Sequence, residues 1–231
     1  MNNGGDTLKY PWAGGINWAQ FSEIDLDIDG VKDLVVFDRT GNKLNTFIND
    51  AVPNQSSYTH SSNHASLFPK MTDWVLLRDY NCDGKMDIFT SYSGGIRVYT
   101  NTTVATTLSF SLKESQLNSN AQPDSLNPNM LAIFVSGADI PAIADIDNDG
   151  DLDILTFGPS GERLEYHLNL SMELYGICDS LVYELGNRCW GYFRENLTGS
   201  TLTLFDTCSF NIGNPKRTSR IHAGSTILSL D

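Results

Sequence analysis

No run of this 231-residue chain is apolar for long enough to cross a membrane. The best stretch, Met130 to Ala144, is short and carries Asp139. The opening residues MNNGGDTLKYPW hold no hydrophobic stretch and do not read as a signal peptide. No H-E-x-x-H, no G-x-S-x-G and no phosphate-binding loop occurs, so zincin, serine-hydrolase and P-loop chemistry have no local signature. Histidine is scarce, at His60, His64, His167 and His222. The i, i+4 pair His60/His64 could share zinc on a helix, but it sits in a Ser/Thr/Asn-rich run and reads as solvated polar residues. Bases are also few, 15 Lys and Arg against 28 Asp and Glu, which argues against a nucleic-acid partner. With 40% hydrophobic and 19% charged residues the composition is that of a globular chain able to bury a core.

What is present is one acidic loop, three times over. The copies run from Asp25 to Asp33, from Asp79 to Asp87 and from Asp145 to Asp153, each D-x-[DN]-x-D-G-x-x-D and each followed by an apolar β-branched stretch. Hard oxygen ligands at positions 1, 3, 5 and 9, with glycine at position 6 for the sharp bend, suit calcium. The expected ligands are Asp25, Asp27, Asp29 and Asp33; Asp79, Asn81, Asp83 and Asp87; and Asp145, Asp147, Asp149 and Asp153. Val31, Lys85 and Asp151 at position 7 are expected to contribute backbone carbonyls, so their side chains should not matter. Loop ligand positions take four, three and four carboxylates, eleven of the 28 acids, leaving 17 against 15 bases. Three bound calcium ions would bring the net charge from -13 to -7. The competing reading is that Asp-Gly loops are ordinary surface turns, which these residues favour for backbone reasons.

The first Asp recurs after 54 and then 66 residues, a spacing of propeller blades or a solenoid. Strand-like runs precede each loop (Gln20 to Ile24, Trp74 to Leu77, Ile140 to Ala144) and follow it (Leu34 to Phe37, Ile88 to Thr90, Ile154 to Phe157). After a glycine turn comes a third run: Lys43 to Ile48, Ile96 to Tyr99, Arg163 to Leu168. Strand, loop, strand, turn, strand outlines an antiparallel blade. An EF-hand would need Glu at position 12 and helical flanks, whereas Val36, Thr90 and Thr156 stand there between β-branched runs.

These loops resemble the FG-GAP/VCBS repeats of integrin-alpha-like β-propellers, in their secreted bacterial form. Lys9 to Gly15, Phe37 to Gly41, Asp79 to Gly84, Ser93 to Arg97 and Cys189 to Gly191 add to the resemblance; the namesake Phe-Gly occurs once, at Phe157-Gly158. The resemblance implies an all-β fold of about three blades, a partial ring of a propeller of about seven, with calcium loops on one rim. It places repeat 1 in residues 1–60, repeat 2 in 61–125 and repeat 3 in 126–170. A cysteine- and aromatic-containing insertion follows in 171–219, and 220–231 reads as the first strand of a fourth repeat cut short after Asp231. On this view the chain is a fragment, and the sequons at Asn54, Asn101, Asn169 and Asn196 are accidental.

The insertion carries Cys178, Cys189 and Cys208 among Tyr175, Tyr183, Trp190, Tyr192 and Phe193. It reads first as a small hairpin subdomain pinned by one disulfide, with Cys178–Cys189 and Cys189–Cys208 both open; the alternative is an aromatic ligand-binding loop. Cys82 falls at loop position 4, where the side chain points away from an ion. Even cysteine number and calcium chemistry both point to an extracellular or cell-surface setting. The expectation is a non-catalytic calcium-binding propeller module with a scaffold, adhesion or ligand-binding role, a protein or glycan at its rim, no nucleic acid and no catalytic residues. The alternative is the propeller portion of a calcium-dependent extracellular enzyme such as a polysaccharide lyase.

Overall fold

In the computed structural model, described over residues 14–123, 125–196, 201–208 and 226–228, the acidic loops set the geometry of three successive sheets. The first is an antiparallel meander of β1 (Ala19–Ile24), β2 (Asp33–Asp38), β3 (Lys43–Asn49) and β4 (Tyr58–His60). A short helix α1 (Ser62–Ala65) leads to the second meander, β5 (Val75–Arg78), β6 (Asp87–Tyr92), β7 (Gly95–Asn101) and β8 (Phe110–Glu114). The third sheet has six strands. β11 (Ala142–Ala144), β12 (Asp153–Phe157), β13 (Leu164–Asn169) and β14 (Tyr183–Trp190) form its meander, with α2 (Ser171–Tyr175) between the last two. β9 (Asn118–Asn120) adds to β14 in parallel and β10 (Met130–Ala132) adds to β9. A separate hairpin joins β15 (Phe193–Glu195) to β16 (Leu202–Leu204).

The three strand runs expected per repeat match the first three strands of each meander, and each acidic loop is the turn between the first two. The fourth strands β4, β8 and β14 were not foreseen. β14 lies inside residues 171–219, so that segment does not stand apart as an insertion: it closes the third meander by pairing with β13. Of the expected terminal strand in 220–231, only 226–228 are described, and Thr226 pairs in parallel with Ile140 next to β11. Among the described residues no helix is long and apolar enough to cross a membrane.

Packing follows from strand alternation. In the middle sheet Val75, Leu77 and Ile88 point to one side and pack with Ile24, Leu26, Val35 and Phe37 of the first repeat. Trp74, Phe89, Ile96 and Val98 point the other way and pack with Ile143, Ile154 and Tyr183 of the third. Ile88 and Phe89 are adjacent in sequence, fully buried, and belong to different cores. The sheets are therefore stacked face to face, the middle one buried on both sides. Arg39, at the end of β2 and 7% exposed, ties the stack together. Its guanidinium donates to the Asp73 carbonyl before β5 and, at 2.9 and 3.0 Å, to the Gly137 and Ala138 carbonyls before β11.

Candidate functional site

The three loops share one set of hydrogen bonds at positions 1, 5 and 9, and position 3 adds a bond to the position-5 N–H in the second and third loops. The first carboxylate accepts the N–H groups of positions 5 and 6: Asp25 from Asp29 and Gly30, Asp79 from Asp83 and Gly84, Asp145 from Asp149 and Gly150, all between 2.8 and 3.2 Å. The fifth accepts the N–H of position 7, at 2.7 Å for Asp29, 2.9 Å for Asp83 and 3.0 Å for Asp149. This winding puts position 4 in the left-handed region, at φ +63° for Ile28, +56° for Cys82 and +64° for Asn148, and position 6 there too. Glycine at 6 carries no strain, whereas the β-branched Ile28 does.

Position 9 is the structural keystone. Asp33, Asp87 and Asp153 open the second strand and are almost wholly buried. One oxygen of each accepts the N–H of loop position 2: Leu26 at 2.7 Å, Tyr80 at 3.1 Å, Ile146 at 3.1 Å. The other accepts the N–H of an asparagine ending the third strand: Asn49 at 2.7 Å, Asn101 at 2.7 Å, Asn169 at 2.9 Å. Each asparagine amide then donates to the position-8 carbonyl, of Lys32, Met86 or Leu152, and accepts an N–H two residues on. The sequence reading missed this asparagine, although it recurs 16, 14 and 16 residues past the ninth-position Asp. Two of these asparagines, Asn101 and Asn169, head sequons; both are buried, so the amides are already committed.

Carboxylates converge at two of the loops. One oxygen each of Asp25, Asp27 and Asp29 lies within 4.8 Å of the others, as do those of Asp145, Asp147 and Asp153, and those of Asp147, Asp149 and Glu173. Some of these acidic groups can therefore hold a metal ion, and the donors are the hard oxygens that calcium or magnesium takes. The second loop differs: Asn81 replaces a carboxylate, and the Lys85 ammonium sits 3.4 Å from Asp83 Oδ2. Among the described residues no three of its acids converge in this way. At position 7 two of the three side chains make contacts of their own. Lys85 places a charge on a ligand position, and Asp151, 1% exposed, accepts the Met172 N–H at 2.9 Å from the first turn of α2.

Without a cation these acids are poorly compensated. Burial pushes Asp87 and Asp153 up to about 6, against the opposing pull of their backbone N–H donors. Burial likewise raises Asp33, and raises Asp147 and Asp151 with help from neighbouring loop carboxylates. Asp149 Oδ2 and Asp151 Oδ1 are buried with no hydrogen-bond partner among the described residues.

The cysteines pair as Cys82–Cys178 and Cys189–Cys208, with Cα separations of 6.1 and 5.9 Å. Of the two pairings considered for the 171–219 segment, Cys189–Cys208 forms and Cys178–Cys189 does not. Cys82, exposed at position 4, meets Cys178 in the turn after α2. That encounter depends on the second and third loops lying side by side, which cysteine spacing does not reveal. The second bond ties the end of β14 to the chain beyond the β15–β16 hairpin, where Arg163 also holds Asp206 at 2.6 Å.

No curated protein and no solved structure matches the chain. Residues 79–156 match the model of the FG-GAP-like repeat, beginning on the first Asp of the second loop and ending in β12. Two of the three acidic loops fall inside that match, and over those residues the chain is similar to an FG-GAP-like repeat.

Proposed function

We propose that this chain is a calcium-stabilised β-propeller module of a secreted or cell-surface protein, serving as scaffold, adhesion or ligand-binding surface. Three face-to-face sheets, each with an acidic turn between its first two strands, support the propeller reading. The observation that carries the calcium reading is the repeated loop itself: three turns wound by the same hydrogen bonds, with carboxylates that cluster in the first and third and a buried ninth-position Asp in all three. Calcium would take the side-chain oxygens at positions 1, 3, 5 and 9 and the carbonyl at 7, neutralising each turn and cross-linking two strands. The acids that could serve glycoside chemistry are then already engaged, which favours a non-catalytic role over a polysaccharide-lyase-type enzyme. Two disulfides suit an extracellular setting. A rim partner would be a protein or a glycan.

The test is a thermal melt of the whole chain in about 2 mM calcium and in excess chelator; extracellular modules bind calcium at roughly 10⁻⁴–10⁻³ M. Mass action then gives about 0.6–1.8 kcal/mol per site. With three sites, and about 2–4 °C per kcal/mol for a chain of this size, the midpoint should rise by about 4–20 °C. Asp29→Ala, Asp83→Ala and Asp149→Ala together should erase the rise. An equal midpoint in both conditions refutes the calcium reading and leaves plain Asp-Gly turns.

A further inference from the structure

Two carboxylates outside the expected ligand set press against the third loop, and nothing comparable occurs at the other two among the described residues. Glu173 stands in the first turn of α2, and one of its oxygens lies within 4.8 Å of oxygens of both Asp147 and Asp149. Asp151 is in the loop, but its side chain is turned to the same side: it is 1% exposed and holds the backbone of Met172, the residue before Glu173. Its second oxygen, Oδ1, has no hydrogen-bond partner among the described residues, and its carboxyl is within electrostatic reach of Asp149, Glu173 and Asp147. The buried Oδ2 of Asp149 is equally without a donor.

Three carboxylates thus converge beside a fourth, the buried Asp151; one oxygen each of Asp149 and Asp151 is dry and unpaired, and no ion pair of the described residues involves any of the four. An ionised oxygen buried without a donor or counter-charge is strongly disfavoured, and a bound cation would let these carboxylates stay ionised where they would otherwise take up a proton. Oxygens up to 4.8 Å apart also fit around one calcium ion, whose ligands sit at about 2.3–2.6 Å. The first loop reaches a comparable cluster with Asp25, Asp27 and Asp29 alone, so the added acids are a property of the third loop.

We propose that Glu173 is a metal ligand supplied from outside the loop, so that Asp147, Asp149 and Glu173, lined by Asp151, hold a calcium ion on the α2 face of the third loop. This position shares Asp147 with the loop's own Asp145, Asp147 and Asp153 cluster. It rests on the calcium reading above and adds to it a ligand that the repeat pattern does not contain. It also gives α2 a task. The helix leads directly to Cys178, which is bonded to Cys82 of the second loop, so an ion held by Glu173 would clamp the segment that joins the two loops.

The test uses the whole chain, stripped with chelator and titrated with calcium alone. Bound ions are counted by native mass spectrometry and affinities are read by calorimetry. Glu173→Gln should remove one ion or weaken one class of sites at least about tenfold, the scale on which metal sites respond to loss of a supporting group. Asp151→Asn should weaken the same class, and Asp179→Asn, an exposed acid of the same segment, should leave the titration unchanged. In chelator the Glu173→Gln melt should match or exceed the parent, since one of four crowded negative charges has gone; this separates a ligand from a merely structural residue. If the parent binds calcium and Glu173→Gln binds it identically, Glu173 is no ligand and the loop reading alone survives. If the parent binds no calcium, both readings fall.

Discussion

The asparagine that closes each repeat offers a stringent test, because its role is independent of any ion. Asn101 is 4% exposed; its amide donates to the Met86 carbonyl at 3.1 Å and its oxygen accepts the Thr103 N–H at 3.0 Å. Asn101→Ala leaves both backbone groups without those partners, while the main-chain bond from residue 101 to Asp87 persists. An orphaned buried group costs about 1–3 kcal/mol, and here both groups are only partly buried, so water recovers a share. The net loss should be about 2–3 kcal/mol, or roughly 5–10 °C in the melt. Asn101→Asp should be no better at neutral pH, since it keeps the acceptor but turns a carboxylate towards the Met86 carbonyl beside Asp87. Asn118→Ala is the control: its amide donates to Gln116 from an exposed site, and its loss should fall within about 0.5 kcal/mol. Urea unfolding in chelator measures all three, with the midpoint falling and the slope unchanged. An Asn101→Ala variant as stable as Asn118→Ala would refute the keystone role. So would a cost appearing only with calcium, because the role would then belong to the metal.

Two further outcomes follow from groups that are not proposed metal ligands. His167 is 4% exposed, with Nδ1 2.9 Å from Ser119 Oγ, and burial, helped by Arg188, pushes it down to about 4. Glu165 lies 3.9 Å from Nε2, but burial drives it towards its own neutral form and Arg188 shares it at 3.6 Å, so desolvation of the imidazole wins. A depressed histidine contributes stability that is fully present above the unfolded value near 6.5 and is lost as pH falls towards 4. At pH 5 that loss is about 2 kcal/mol. His167→Gln should therefore lose about 2 kcal/mol less than the parent between pH 7 and 5 in urea melts, and parallel profiles would overturn the assignment. The two disulfides should differ in weight. Cys82–Cys178 closes a separation of 96 residues and Cys189–Cys208 one of 19, which the chain-entropy relation makes worth about 4.7 and 3.3 kcal/mol. The C82S/C178S variant in chelator should thus be less stable than C189S/C208S by about 1.4 kcal/mol, and the reverse order would show that native contacts rather than loop closure decide.

What the sequence made legible, and what it hid, divides along one physical line. The loops and the first three strands of each repeat were readable because their constraints are local. Gly30, Gly84 and Gly150 are needed for a positive φ, and Asp33, Asp87 and Asp153 face N–H groups of their own turn. The fourth strands were not, since Tyr58–His60 is three polar-edged residues and Phe110–Glu114 is largely exposed, leaving no alternation to see. The asparagines were hidden only by the choice of window, as their offset from the ninth position is nearly constant. Cys82–Cys178, Glu173 and the buried Asp151 lay beyond any window, because each acquires its meaning from the third loop and α2 packing beside the second. The same line runs through the core. Ile88 and Phe89 read as one apolar run because each is buried by a different neighbour, the first sheet for one and the third for the other. A strand with polar residues on alternate positions would have needed only one neighbour, so the unbroken run following the second loop is itself the sequence mark of a sheet packed on both faces.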